Sequence, residues 1–355
     1  MKSLALSFKS SYHFLLPALL ASTFGLMVLL SLSQEAFLRQ LVFLGAGLLV
    51  FYIFTKIPLD VTQRISFATI GVLYLLLVAN LLVGQSVRGS VRWLDLGFLA
   101  FQPSELVKPF LIVCLSSILG SSGFNLKSLS LGLAVTLPGI ALTLLQPDLG
   151  TSLALLFVWG ILILYSGIKP HMAAMLGALG AGVGVLGFLF GLRDYQKERL
   201  RSFLSPESDP LGTGYNVLQS KIAVGSGRFL GKGFGQGSQS HLNFLPESKT
   251  DFVFASLAEE WGFLGSILII GLLGLMCLGV WYGAQRQKDL TKRLIFLGVW
   301  GILLFQIFVN IGMNLGIMPV TGIPLPFVSL GGSSLLAFWI MFGVLTAIAK
   351  ESDLL

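Results

Sequence analysis

Residues 252–282 read FVFASLAEEWGFLGSILIIGLLGLMCLGVWY, and from Trp261 to Tyr282 not one residue is charged. An α-helix needs about 20 mainly apolar residues to cross roughly 30 Å of hydrocarbon, so the stretch reads as a membrane span. A soluble core could hide one such helix, but not nine more. Comparable segments lie at 14–32, 37–55, 65–84, 104–120, 128–145, 149–167, 172–191, 294–314 and 329–349. The expected fold is therefore all-α, a polytopic integral membrane protein of about ten transmembrane helices. Residues 1–355 form a single integral membrane domain. The first segment follows Lys2 and Lys9 like a signal peptide, but no small-residue cleavage site precedes Ser33 and another span follows, so it reads as a retained helix.

Composition agrees. Of 355 residues, 55% are hydrophobic and 11% charged, against about 25% charged in a soluble domain. A soluble enzyme, a disordered chain and a fibrous chain are excluded. Cys114 and Cys277 sit in apolar runs and read as small hydrophobes. The net charge of +7 does not signal nucleic acid, because excess Lys and Arg in a membrane protein mark cytoplasmic loops. With the N-terminus inside, the inner loops and ends hold Lys2, Lys9, Lys56, Arg64, Lys127, Lys169, Arg286, Lys288, Lys292, Arg293 and Lys350. The short outer loops hold Arg39, Arg88 and Arg92. Both termini are thus expected in the cytoplasm.

One connection is long. Residues 192–250 form a large extracytoplasmic loop between spans seven and eight, with a glycine-rich stretch from Gly225 to Gly237. Tyr215, Val217, Leu218, Ile222, Phe229 and Leu245 make it too apolar for a solvated coil. Short amphipathic helices on the outer face of the bundle are expected instead. Gly225, Gly227 and Gly231 superficially suggest a phosphate cradle, but no strand or βαβ unit accompanies them. No Walker loop appears, and no use of a nucleotide is expected. In the seventh span Gly180 and Gly184 permit close helix approach, within the bundle or to a partner.

Ionisable side chains at membrane depth are costly, by about 2.5–3.5 kcal/mol on insertion scales, and each marks a functional hypothesis. Glu105 and Lys108, in Gln102-Pro103-Ser104-Glu105-Leu106-Val107-Lys108, lie one turn apart on one face. They read as a self-neutralising structural pair or as part of a polar cavity that takes an anionic substrate. Asp251 enters the eighth span three residues after Ser248. That spacing suits a capping box, or a carboxylate at the interface that accepts a proton or holds a divalent cation. Glu259 and Glu260, adjacent acids inside an apolar helix, resist a packing explanation. Asp148 most simply caps the sixth span. His13, His171 and His241 are isolated from one another, and no zinc spacing occurs.

Long motifs then point to one family. They include Arg92-Trp93-Leu94, Gln102-Pro103-Ser104-Glu105 and Gln146-Pro147-Asp148-Leu149-Gly150-Thr151. Gly214-Tyr215-Asn216-Val217-Leu218-Gln219-Ser220-Lys221 and Ser240-His241-Leu242-Asn243-Phe244-Leu245-Pro246-Glu247 follow. Thr250-Asp251-Phe252, Ala258-Glu259-Glu260-Trp261-Gly262 and Gly322-Ile323-Pro324-Leu325-Pro326-Phe327 complete the set. The chain resembles the SEDS (shape, elongation, division and sporulation) family, and the string before Glu247 is nearer its rod-shape branch than its division branch.

The resemblance implies a peptidoglycan glycosyltransferase of the bacterial cytoplasmic membrane. Such an enzyme polymerises lipid II at the outer face during elongation, alongside a class B penicillin-binding protein that acts as transpeptidase. It implies that Asp251 is the essential aspartate, either as general base or as ligand of a divalent cation (Mg²⁺ or Mn²⁺). Arg92, Lys108 and Lys221 become candidates for binding the substrate pyrophosphate, with Glu105 orienting Lys108. Two other readings stay open: a lipid II flippase, which needs polar groups reachable from both sides, and a scaffold for the transpeptidase.

Overall fold

The computed structural model describes residues 2–83, 93–95, 100–186, 203 and 214–353. Among them run α1 (Lys2–Leu32), α2 (Gln34–Phe54), α3 (Leu59–Val83), α4 (Pro103–Ser122), α5 (Leu126–Leu145), α6 (Leu149–Tyr165) and α7 (Pro170–Leu186). The short α8 (Tyr215–Ser226) and α9 (Ser238–His241) precede α10 (Val253–Gln285), α11 (Leu290–Leu315) and α12 (Gly332–Asp353). Two-residue strands β1 (Leu94–Asp95) and β2 (Ala100–Phe101) pair antiparallel before α4.

The long helices fall on the ten expected segments. Eight are long and apolar enough to cross a membrane, and α6 is apolar but shorter. Local chemistry sets their ends. Asn125 and Ser128 form a reciprocal capping box at α5, and Asp289 caps α11 by accepting from the Lys292 N–H at 2.9 Å. Gly316 ends α11 in the left-handed conformation, φ 71°. The helix closest to the centre is α12, with 89% of its span buried, whereas α2 turns outward with 11% buried. Trp339 of α12 packs edge-on against Phe342 and Phe327, and Phe342 packs tilted against Phe327. Among the described residues no close approach is made at Gly180 or Gly184, where a Cβ would meet nothing within 4 Å.

Short turns make successive helices antiparallel and give the bundle two unlike ends. At one end, Lys292 pairs with Glu351 at 2.8 Å, Lys350 donates to the Thr55 carbonyl, and the Phe124 N–H donates to Ser166 across two turns. Lys56, Lys127, Lys169, Arg286, Lys288, Lys292, Arg293 and Lys350 lie in the turns and helix ends there, so it is the basic end. At the opposite end, α2, α4, α6, α10 and α12 begin and α11 finishes.

The span that opened the reading is not one straight helix. At Gly262 the backbone adopts φ 64° and ψ −157°, which splits α10 into two helices. A break at membrane depth exposes main-chain groups that must be bonded internally, and the glycine-rich segment supplies the partners. Lys232 and Gly233 N–H groups donate to the Glu259 and Glu260 carbonyls at 2.9 and 3.0 Å. In return Phe263 and Leu264 donate to the Arg228 and Phe229 carbonyls at 2.9 and 3.3 Å. A Cβ on Gly231 or Gly262 would strike the backbone of the other segment. The glycine string is therefore a strap laid on a broken helix.

Candidate functional site

Asp251 lies half-buried just before Phe252, the N-cap residue of α10. It is outside the first helical turn in which a capping box would place it. Its main chain is held from several directions. Asn310 and Asn314 of α11 both donate through Nδ2 to the Asp251 carbonyl at 3.0 Å. Ser329 donates to the Thr250 carbonyl at 2.6 Å, and the Leu330 N–H donates to Lys249 at 2.9 Å. Behind it, the Glu247 carbonyl accepts from both Thr250 and Phe252, at 3.1 Å each. Leu245 and Phe252 bury their side chains together with Ala223 and Ala255 beneath the turn.

The start of α4 belongs to the same end. The Gln102 N–H donates to Ser333 Oγ at 2.9 Å, four residues beyond the Ser329 that holds Thr250. Gln102 Nε2 also donates to Asp148 Oδ2 at 3.1 Å. Asp148 caps α6 as expected, accepting from the Thr151 N–H at 3.1 Å. One turn into α4, Lys108 Nζ donates to Glu105 Oε1 at 2.5 Å. The expected ion pair is thus formed, with 1% of the Lys108 and 4% of the Glu105 side chain exposed. Among the described residues Glu105 Oε2, which is buried, has no hydrogen-bond partner, so within them the pair is neutralised but not saturated.

Lys221 is exposed on α8. Its side chain lies over Gly316, where a Cβ would collide with it. The adjacent Ser220 donates to the Asn314 carbonyl at 2.7 Å, so two hydrogen bonds connect the Lys221 turn to Asp251. The remaining candidate, Arg92, lies outside the described residues.

Glu259 and Glu260 serve the strap. Glu259 is fully buried; its Oε1 accepts from Lys232 Nζ at 2.7 Å and the Gln239 N–H at 2.9 Å, and its Oε2 from the Ser240 N–H and hydroxyl. Glu260 receives Ser31 of α1 at 2.7 Å and bonds His241 Nε2 at 2.8 Å. The sequence reading missed this use, and it also missed Asn310, Asn314 and Ser329. A signal was present for the two asparagines. They stand four apart on one face of an apolar span, where unexplained polar side chains are rare.

Fold and site together define a polytopic membrane protein whose polar groups gather at one end, around a backbone-held aspartate. The family model of cell cycle proteins of the FtsW, RodA and SpoVE type matches residues 12–354. The peptidoglycan glycosyltransferase MrdB of Escherichia coli K12 is 38% identical over 321 residues, 89% of this chain and 86% of its own. The probable peptidoglycan glycosyltransferase FtsW of Synechocystis is also 38% identical, over 89% of this chain and 80% of its own. A solved chain from a peptidoglycan synthase complex, described as coordinating polymerization and crosslinking, superposes with a TM-score of 0.81. It is 31% identical, over 96% of this chain and 98% of that one. The chain belongs to the FtsW/RodA/SpoVE family, the SEDS family that its motifs resemble.

Proposed function

We propose that this chain is a peptidoglycan glycosyltransferase that polymerises lipid II into glycan strands, in the rod-shape branch that serves cell elongation. The observation that carries the reading is Asp251, held by its own backbone at the end where Gln102, Asp148, Asn310 and Ser329 also meet. Forming a β-1,4 glycosidic bond requires a sugar hydroxyl to attack an anomeric carbon. The carbon–oxygen bond to the diphosphate breaks, and the hydroxyl proton must leave. A positioned carboxylate that takes this proton gives about 10²–10⁴-fold in rate. Fixing the main chain of Asp251 from several elements suits that role, because proton transfer is intolerant of misplacement. The departing diphosphate gathers negative charge, which Lys108, Lys221 and Arg92 are suited to receive.

Among the described residues no three His, Cys, Asp or Glu side chains come together as a metal cage. In the alternative role, Asp251 would instead hold a Mg²⁺ or Mn²⁺ ion, since hard cations prefer carboxylate oxygen. Such an ion would supply positive charge against the departing diphosphate.

The basic end fits the cytoplasm by the distribution of Lys and Arg. Both termini are then inside the bacterial cytoplasmic membrane, and Asp251 is outside. Externally added thiol reagents should label Gln236→Cys in the strap and spare Lys288→Cys at the basic end. Equal labelling would reverse or abolish this topology. The partner is a class B penicillin-binding protein, consistent with the crosslinking complex of the structural relative. Purified protein given labelled lipid II tests the function itself. Polymer supports the enzyme, whereas movement of lipid II between leaflets without polymer would make it a flippase.

A further inference from the structure

The loop that carries Asp251 is closed by a side chain. The Glu259 carboxylate reaches back to the Gln239 N–H, twenty residues earlier, and to the Ser240 N–H and hydroxyl. The chain leaves α9, passes through Leu245 and Glu247 to Asp251, and returns down the first half of α10 to Glu259. Asp251 therefore sits on a ring with one foot at Gln239 and the other at Glu259. Lys232 locks that junction from the strap at 2.7 Å, while its own N–H holds the Glu259 carbonyl at 2.9 Å. Just past the junction, Gly262 breaks α10, so the half-helix below Asp251 is not braced by the long span beyond. The strap, Glu259 and Glu260 on Ser31 hold its lower end, while the Ala255 N–H on Asn314 and the buried Val253, Phe254 and Leu257 hold its upper end.

We infer that Glu259, locked by Lys232, is a positioning residue for Asp251: it closes the ring that, together with Asn310, Asn314 and Ser329, fixes where the Asp251 carboxylate stands against the bundle. The inference rests on the reading of Asp251 as the group that serves the reaction. Neither Glu259 nor Lys232 meets the reacting atoms. Their effect passes through the half-helix and the 239–251 loop, so it falls on turnover and not on substrate capture.

The test uses the full chain in proteoliposomes with lipid II labelled on its pentapeptide. Glu259→Gln, Lys232→Met, Lys232→Arg and Asp251→Asn are compared per folded molecule. Misplacing a catalytic group by about 1 Å can cost about 10²-fold. Glu259→Gln and Lys232→Met are therefore expected to lose about a hundredfold in kcat, with KM within about twofold of wild type. Lys232→Arg, which keeps the cation, should recover most of the turnover lost in Lys232→Met. Hydrogen exchange over residues 242–252 should rise in the two neutral variants. Lys232 is partly exposed, so Lys232→Met remains decisive should Glu259→Gln fail to fold. Wild-type kcat in both neutral variants beside an inactive Asp251→Asn would overturn the inference, as would a loss confined to KM or unchanged exchange. Polymer from Asp251→Asn would instead overturn the underlying reading of Asp251.

Discussion

Glu259 accepts hydrogen bonds from Lys232 Nζ, the Ser238 and Ser240 hydroxyls and the Gln239 and Ser240 N–H groups. Glu105, also buried, accepts from Lys108 through Oε1, and its Oε2 has no hydrogen-bond partner among the described residues. Both carboxylates are sealed in the bundle beside a lysine, yet one is saturated and the other is not. A buried acceptor without a partner costs about 1–3 kcal/mol. The saturated carboxylate organises the fold. The unsaturated one belongs to the pair for which we propose a role beside the substrate. Satisfaction, more than burial, separates the two roles.

The largest effect expected lies at the apex of the ring that Glu259 closes. Asp251→Asn keeps the shape and removes the basicity, and polymer formation from lipid II should fall by about 10²–10⁴-fold with the fold intact by thermal unfolding in detergent. Wild-type polymer would leave both carboxylates with purely structural work. On the unsaturated side, Lys108→Met should cost about 10²-fold in turnover, the scale for losing a group that stabilises developing charge. Normal turnover there would show the Glu105 pair to be incidental. On the saturated side, Glu259→Ala strands the Gln239 and Ser240 N–H groups and should cost about 3 kcal/mol of stability, read by thermal unfolding. If Glu105→Ala proved equally destabilising and left activity unchanged, the contrast would collapse. The smallest effect belongs to a third carboxylate. Glu35 pairs with Arg39 at 2.7 Å, but both side chains are about two-thirds exposed. Arg39→Ala should change stability by less than about 0.5 kcal/mol.

Much of the fold was readable from composition and apolar run length, because a chain in lipid must cross as helices that bond their own backbone. Ten apolar segments became ten helices, with the ends shifted by a few residues where caps such as Asn125 and Asp289 decide them. The Glu105–Lys108 pair was readable too, since spacing within one helix determines which side chains share a face. Asp148 as a cap is likewise local.

What the one-dimensional pattern did not contain is everything that depends on segments far apart in the chain. Gly225 to Gly237 read only as a glycine-rich stretch of the long loop, without the context of a phosphate cradle, and Gly262 looked like one more residue of a long span. Only their docking shows that each supplies the backbone partners the other lacks. Glu259 and Glu260 were inexplicable as neighbours in an apolar helix because their partners, Gln239, Ser240, His241 and Ser31, come from other elements. Asp251 could be singled out by type and motif, but not the way it is held, because Asn310, Asn314 and Ser329 reach it from about 60 to 80 residues away. Periodicity and spacing carry information about contacts within a helix; hydrogen bonds between distant segments exist only once the bundle has assembled.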